Sequence, residues 1–192
     1  MNRNERRLCD EKQIGGLIAA MARKLAESGR TGEPLYLVGI RSRGVPLAER
    51  LARELRQLLG QEVEVGAVDI TLYRDDLGQA EHWPVLRGTE IPFDVDNAQV
   101  VLVDDVLFTG RTVRAALNAI CDLGRPACIR LAALVDRGHR EIPIQPDVVG
   151  LLIETKRNEH VRVRLSPVDP VEEIVRINPG RSTSRSERSA AP

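Results

Sequence analysis

The chain has no uninterrupted apolar run near 18 residues, which excludes an ordinary membrane-spanning helix. It has no net charge: Lys plus Arg and Asp plus Glu are both 28. A polyanion-binding surface would therefore have to come from local clustering. Its three cysteines, Cys9, Cys121 and Cys128, form no CxxC pattern. Neither a disulfide framework nor a zinc site is expected, and a reducing cytoplasm is the expected compartment. The opening MNRNERRLCDEK is too polar for a signal peptide. No internal repeat is present. No GxGxxG follows an early strand, where RSRG stands instead, so a dinucleotide fold is not indicated. What remains is ordinary: 192 residues, 42% apolar and 29% charged. That suits one α/β domain with a sizeable core.

Strands and helices alternate along it. Residues 10–28 carry Ile14, Leu17, Ile18, Met21 and Leu25 at helical spacing. LYLVGI (35–40) reads as a strand buried on both faces. Residues 45–59 predict an amphipathic helix ended by Gly60. Further strands are expected at 63–73, 100–103, 128–135 and 148–154, an edge strand at 161–165, and a helix at 112–123. This order argues a parallel α/β sheet. Residues 74–98 show little periodicity and are broken by Pro and Gly, which in a compact domain marks a functional or disordered segment. The tail 178–192 is polar and expected to be disordered, leaving 1–177 as one domain.

VVLVDDVLFTGRT (100–112) carries the chemistry. A buried run ends in two adjacent carboxylates, whose mutual repulsion is costly unless a ligand uses them. The turn behind them offers amide N–H groups from Thr109, Gly110, Arg111 and Thr112 and then a helix N-terminus, an arrangement that holds phosphate. Carboxylates beside a phosphate must face something else: a sugar diol or Mg²⁺. A ribose 5-phosphate has both faces. Mere turn-capping by the acids is the bland alternative. A receiver domain, which also opens with VLVDD, needs more chain than follows Asp104.

VLVDDVLFTGRT resembles the phosphoribosyl pyrophosphate (PRPP) signature of type I phosphoribosyltransferases. With DITLYRDDL (69–77), LVDRGHRE (134–141), GIRSRG (39–44) and LGRP (123–126), residues 8–177 resemble the bifunctional pyrimidine operon attenuation protein/uracil phosphoribosyltransferase family. The resemblance implies a central parallel sheet flanked by helices, with a small hood. It implies conversion of uracil and Mg²⁺-bearing PRPP to UMP and pyrophosphate, with the metal held through PRPP. It also implies UMP-dependent binding to pyrimidine-operon leader RNA, and a homodimer or larger homo-oligomer. By the same resemblance Asp104 and Asp105 hold the ribose hydroxyls, and Val106, Leu107, Phe108, Thr109, Gly110, Arg111 and Thr112 the 5-phosphate. Ser42, Arg43 and Gly44 grip pyrophosphate. Arg137 and the loop before Val161 border uracil. Residues 74–98 form the lid that keeps water out, with Tyr73 and Arg74 as transition-state contacts at its hinge. Arg43 and Arg74, with the acid pair, are the catalytic candidates.

Two stretches depart from the family. The helix 10–28 presents Gly15, Gly16, Ala19 and Ala20 where relatives carry basic and polar groups, and ETKRNEH (154–160) replaces a run of small hydroxyls. The cations left for RNA are Arg23, His139, Arg140, Lys156 and Arg157, few for a phosphate-tracking surface. Weak, UMP-insensitive RNA binding is expected. The alternative function is a regulator that senses UMP or PRPP and signals to RNA or a protein, with little catalysis.

Overall fold

In the computed structural model, residues 4–29, 33–71 and 88–179 are described. β1 (Glu5–Asp10) leads into α1 (Glu11–Glu27). Asp10 caps that helix: it accepts from the Gln13 N–H at 2.9 Å while the Gln13 side chain accepts from the Asp10 N–H at 3.0 Å. β2 (Leu35–Ile40), α2 (Gly44–Leu59) and β3 (Glu64–Val68) follow, then β4 (Gln99–Leu107) and α3 (Arg111–Cys121). β5 (Cys128–Asp136), β6 (Val148–Leu152), β7 (His160–Arg164) and β8 (Glu173–Ile177) complete the chain.

Five strands form a parallel sheet in the order β3-β2-β4-β5-β6. Alternation along β4 sends Val101 and Val103 into a core with α1 and α2, including Met21, Leu47, Leu51 and Leu55. It sends Val100 and Leu102 into a second core with Val113, Ala116 and Ile120 of α3. Helices thus cover both faces, as the buried apolar strands require. A separate antiparallel sheet, β1-β8-β7, forms the hood.

Several elements differ from the sequence reading. β3 stops at Val68 instead of 73 because the Asp69 carboxylate accepts from the Thr71 N–H at 2.9 Å, closing a turn. β4 continues past 103 to Leu107 because β5 keeps pairing with it, from Asp104 opposite Ala133 to Leu107 opposite Asp136. β1 and β8 were not expected at all. The VRVRL strand is β7, an edge of the hood. Within the segment expected to lack structure, residues 88–98 are anchored: Glu90 and Ala67 exchange both amide hydrogen bonds at 2.8 Å. Phe93 stacks on Tyr36 with centroids 4.0 Å apart, and Val95 and Ala98 are buried. The remainder of the expected lid, with Tyr73 and Arg74, and the tail from 180 onward lie outside the described residues. Among the described residues, no helix is long and apolar enough to cross a membrane.

Candidate active site

The chain leaves β2 through α2 toward β3 on one side, whereas β4 leads through α3 to β5 on the other. Ligands in open α/β sheets bind where the connections diverge in this way, beyond the strands' carboxyl ends. Here that point lies between the ends of β2 and β4, which are directly paired, Gly39 opposite Val103. A cavity of about 460 Å³ opens there. It is lined by Arg41, Ser42, Arg43, Asp69, Ile70, Thr71, Asp104, Asp105, Val106 and Thr112. A larger hollow of about 580 Å³ lies near the opposite ends of these strands, beside Leu25, Ala26, Leu35, Tyr36, Leu59 and Gln99. It borders the last turns of α1 and α2, whose dipoles disfavour an anion.

Backbone sets the first wall. Gly39 and Gly44 let the Arg41–Gly44 turn press against the sheet: a Cβ on Gly44 would stand 2.4 Å from the Val103 carbonyl, and one on Gly39 2.5 Å from the Val45 Cα. The Arg41–Ser42 peptide is cis. Arg41 donates from Nε to the Gly88 carbonyl at 3.0 Å and pairs with Glu90 at 3.1 Å. The returning segment is thereby fixed to the turn.

The acid pair sets the second wall. Asp104 is buried, and its carboxylate accepts from the Asp105 N–H at 3.0 Å. Burial pushes the Asp104 carboxyl well above the usual carboxylate range, and the charge of Asp105 pushes it further. Asp105 is also raised by burial, opposed by a hydrogen bond from Asp104 and by the Arg43 charge. Both carboxyls are thus shifted toward the protonated form, and a diol offering two hydroxyl donors would satisfy both as carboxylates. Among the described residues no cluster of three metal-ligating side chains forms. The donor set suits a metal that brings most of its oxygen ligands with a polyphosphate.

Two helix N-termini, those of α2 and α3, lie at the cavity as candidate anion sites. α2 and α3 both start without a side-chain cap and without an acid in the first turn. α1, away from the cavity, has its capping box and Glu11. First-turn amides that lack an N-cap side chain are natural phosphate donors, although the Arg111 N–H of α3 also reaches the Thr109 hydroxyl oxygen at 3.4 Å. Gly110 enters α3 at φ 92°, a conformation that only glycine adopts without strain.

Behind this turn lies a scaffold that takes in three of the candidate RNA contacts. Arg140, a candidate RNA contact, faces inward. It donates to the carbonyls of Phe108 at 2.9 Å and Ile144 at 3.0 Å, and to the Asp136 carboxylate at 2.5 Å. Arg157, another candidate, pairs with Glu141, which also accepts from Arg111 at 2.9 Å. His139 contacts the Thr155 carbonyl through Nε2 at 2.7 Å and sits edge-on to Phe108.

Arg137 is buried over the Phe108 ring at 4.0 Å and donates to the Lys156 carbonyl at 3.1 Å. Burial holds its guanidinium below the usual range, with Glu159 opposing. Its buried Nε finds no partner among the described residues, so a buried donor is left. Val161 packs against the α1-side core, so its side chain is not a wall of the cavity. Arg23 and Lys156 stay exposed on α1 and the 154–159 loop. The sequence reading missed Asp69, Asp169 and Glu159. Asp169 accepts from Arg43 twice, at 2.9 Å each, and Glu159 fixes the Lys156 N–H at 2.7 Å while pairing with Arg176.

An acid pair between two uncapped helix N-termini, on a five-stranded parallel sheet, defines a phosphoribosyltransferase. The phosphoribosyl transferase domain family matches residues 7–167. The fold resembles a hypoxanthine phosphoribosyltransferase of Trypanosoma cruzi, at TM-score 0.71 over 93% of this chain and 98% of that one, with 20% identity. It likewise resembles the HGPRT-ase of Leishmania tarentolae, at TM-score 0.69 and 18% identity over 93% and 99%. Sequence similarity is far closer to proteins called bifunctional protein PyrR. That of Pelotomaculum thermopropionicum is 52% identical over 91% of this chain and 97% of its own length. That of Deinococcus deserti is 53% identical over 84% and 88%. The chain belongs to the bifunctional PyrR family of phosphoribosyltransferases.

Proposed function

We propose that the protein transfers ribose 5-phosphate from PRPP to uracil, releasing pyrophosphate, and that it regulates pyrimidine-biosynthesis genes. The observation that supports this reading best is the contrast among the helices. The two that open onto the acid pair are uncapped, and the one that does not is capped. A ligand with two separate anionic groups and a diol between them fits that layout. The PyrR relatives, matched over most of their length, support the pyrimidine assignment.

In the reaction the bond from ribose C1 to pyrophosphate breaks and a bond from C1 to a uracil ring nitrogen forms. That nitrogen's proton leaves to water or to the departing pyrophosphate. C1 becomes cationic as the leaving group departs. The buried carboxylates, ionised once the diol donates to them, lie where that positive charge develops. Amides of the Ser42–Gly44 turn, with Arg43, hold the pyrophosphate, and those of residues 108–112 hold the 5-phosphate. A Mg²⁺ ion brought in with PRPP would supply charge neutralisation beside Arg43 and the acid pair. Arg137 and the 155–157 backbone border the base, and Tyr73 and Arg74 remain proposed contacts at the lid.

UMP formation from radiolabelled uracil and Mg-PRPP by purified protein tests the enzyme reading. Saturable Mg-PRPP binding with no UMP formed would instead favour a nucleotide-sensing regulator. We further place the protein in the cytoplasm, as its free thiols suit, and as a homo-oligomer, which light scattering well above 21.3 kDa would support.

A further inference from the structure

Asp169 sits in the turn between β7 and β8, 126 residues from Arg43 in sequence. Its Oδ2 accepts from the Leu165 N–H at 3.0 Å and from Arg43 Nε at 2.9 Å. Its Oδ1 accepts from Arg43 Nη2 at 2.9 Å. The geometry is a two-point carboxylate–guanidinium pair with both partners mostly shielded from water. A second ion pair, made through one hydrogen bond, lies two turns along α2, where Arg50 donates to Glu172 at 2.8 Å. The hood turn is therefore held to α2 at two places, and only one of them involves a residue that lines the cavity.

We propose that Asp169 is a positioning residue for the pyrophosphate site, acting through Arg43. This rests on the reading of the site as one for PRPP. Arg43 has five N–H donors, and Asp169 occupies one at Nε and one at Nη2. The Nη1 edge is left, and its charge reaches Asp105, whose carboxyl it lowers. Held at two points, the guanidinium cannot rotate away, so its remaining donors meet a diphosphate without first losing side-chain entropy. Released from Asp169, Arg43 keeps its charge but samples several rotamers. The hood, remote in sequence from the PRPP signature, thereby contributes to the site.

Calorimetric titration of Mg-pyrophosphate and Mg-PRPP into wild type, Asp169→Asn and Glu172→Gln tests this. Glu172→Gln loosens the same turn without touching Arg43. Asp169→Asn should weaken pyrophosphate binding by about tenfold or more, the loss expected for hydrogen bonds to a charged group. Glu172→Gln should lower Tm while leaving affinity near wild type. Arg43→Lys, which keeps a charge but loses both the two-point pair and the guanidinium's own contacts, should lose at least as much as Asp169→Asn, and the double variant should lose no more than Arg43→Lys alone. This cycle also serves if Asp169→Asn folds poorly, because Asp169→Glu can replace it and should recover part of the affinity. Equal affinity in Asp169→Asn and wild type, equal losses in Asp169→Asn and Glu172→Gln, or additive losses in the double variant would overturn the inference alone. Wild type that binds neither ligand would overturn the PRPP reading as well.

Discussion

Gly44→Ala probes how closely the pyrophosphate turn must approach the sheet. The added Cβ would stand 2.4 Å from the Val103 carbonyl oxygen, and that obstacle is backbone. Restoring ordinary contact needs a separation increase of about 1 Å. α2 could recede, or β4 could yield immediately before Asp104. In either case the turn carrying Ser42 and Arg43 shifts relative to the acid pair. Overpacking of this kind costs about 1–3 kcal/mol of stability. A misplacement of about 1 Å at a reacting centre costs about 100-fold in rate. The expected result is a folded variant with lowered Tm and UMP formation reduced about 100-fold. Gly60, whose added Cβ would meet nothing within 4 Å but whose φ is 66°, gives a control. Gly60→Ala should lower Tm with kcat/KM unchanged. Wild-type turnover in Gly44→Ala would show that the close approach has no part in catalysis.

Three further outcomes are expected. The raised pKa values of Asp104 and Asp105 mean that the folded state holds more protons than the unfolded one. Their contribution to stability is full below the ordinary carboxylate pKa and is lost as pH rises through the raised values. PRPP binding, which favours the ionised pair, should release protons, seen as a buffer-dependent heat in calorimetry; a heat independent of buffer would refute it. In α1, Gly15→Ala and Gly16→Ala meet nothing within 4 Å and should each stabilise by about 0.5–1 kcal/mol in thermal melts, whereas a lowered Tm would mean that those glycines are needed. RNA binding to a pyrimidine leader should be weak, UMP-insensitive and shallow in salt dependence, because Arg140 is engaged within the protein and Arg157, though exposed, is paired with Glu141. Nanomolar, UMP-stimulated retention on filters would refute that.

The sheet and its three helices were legible because burial imposes a period on sequence: LYLVGI on both faces of β2, and Leu47, Leu51 and Leu55 along one side of α2. The turn proposed for phosphate could be picked out because its candidate donors are backbone, so the TGRT string itself carries the proposal. The hood was not. ERRLCD and EIVRI are short and charged, and become strands only by pairing with each other. Nor was the end of β4 legible, because adjacent acids read as a strand's end while a parallel neighbour carries the pairing on to Leu107. The roles of Arg140 and Asp169 were also hidden. An arginine's partners depend on what the fold brings beside it, and a span of 126 residues leaves no local trace.

The two uncapped helices stand on opposite faces of the sheet, α2 over the core of Val101 and Val103 and α3 over that of Val100 and Leu102. The acid pair belongs to the strand between them. A linear polyphosphate that reached from one amide cluster to the other would have to cross the carboxylates, where its own charge is repelled. A sugar bearing a charged group at each end passes the same point with hydroxyls. The order in which the backbone presents positive, negative and positive fields thus argues for such a sugar over a nucleoside triphosphate, before any side chain reads the base.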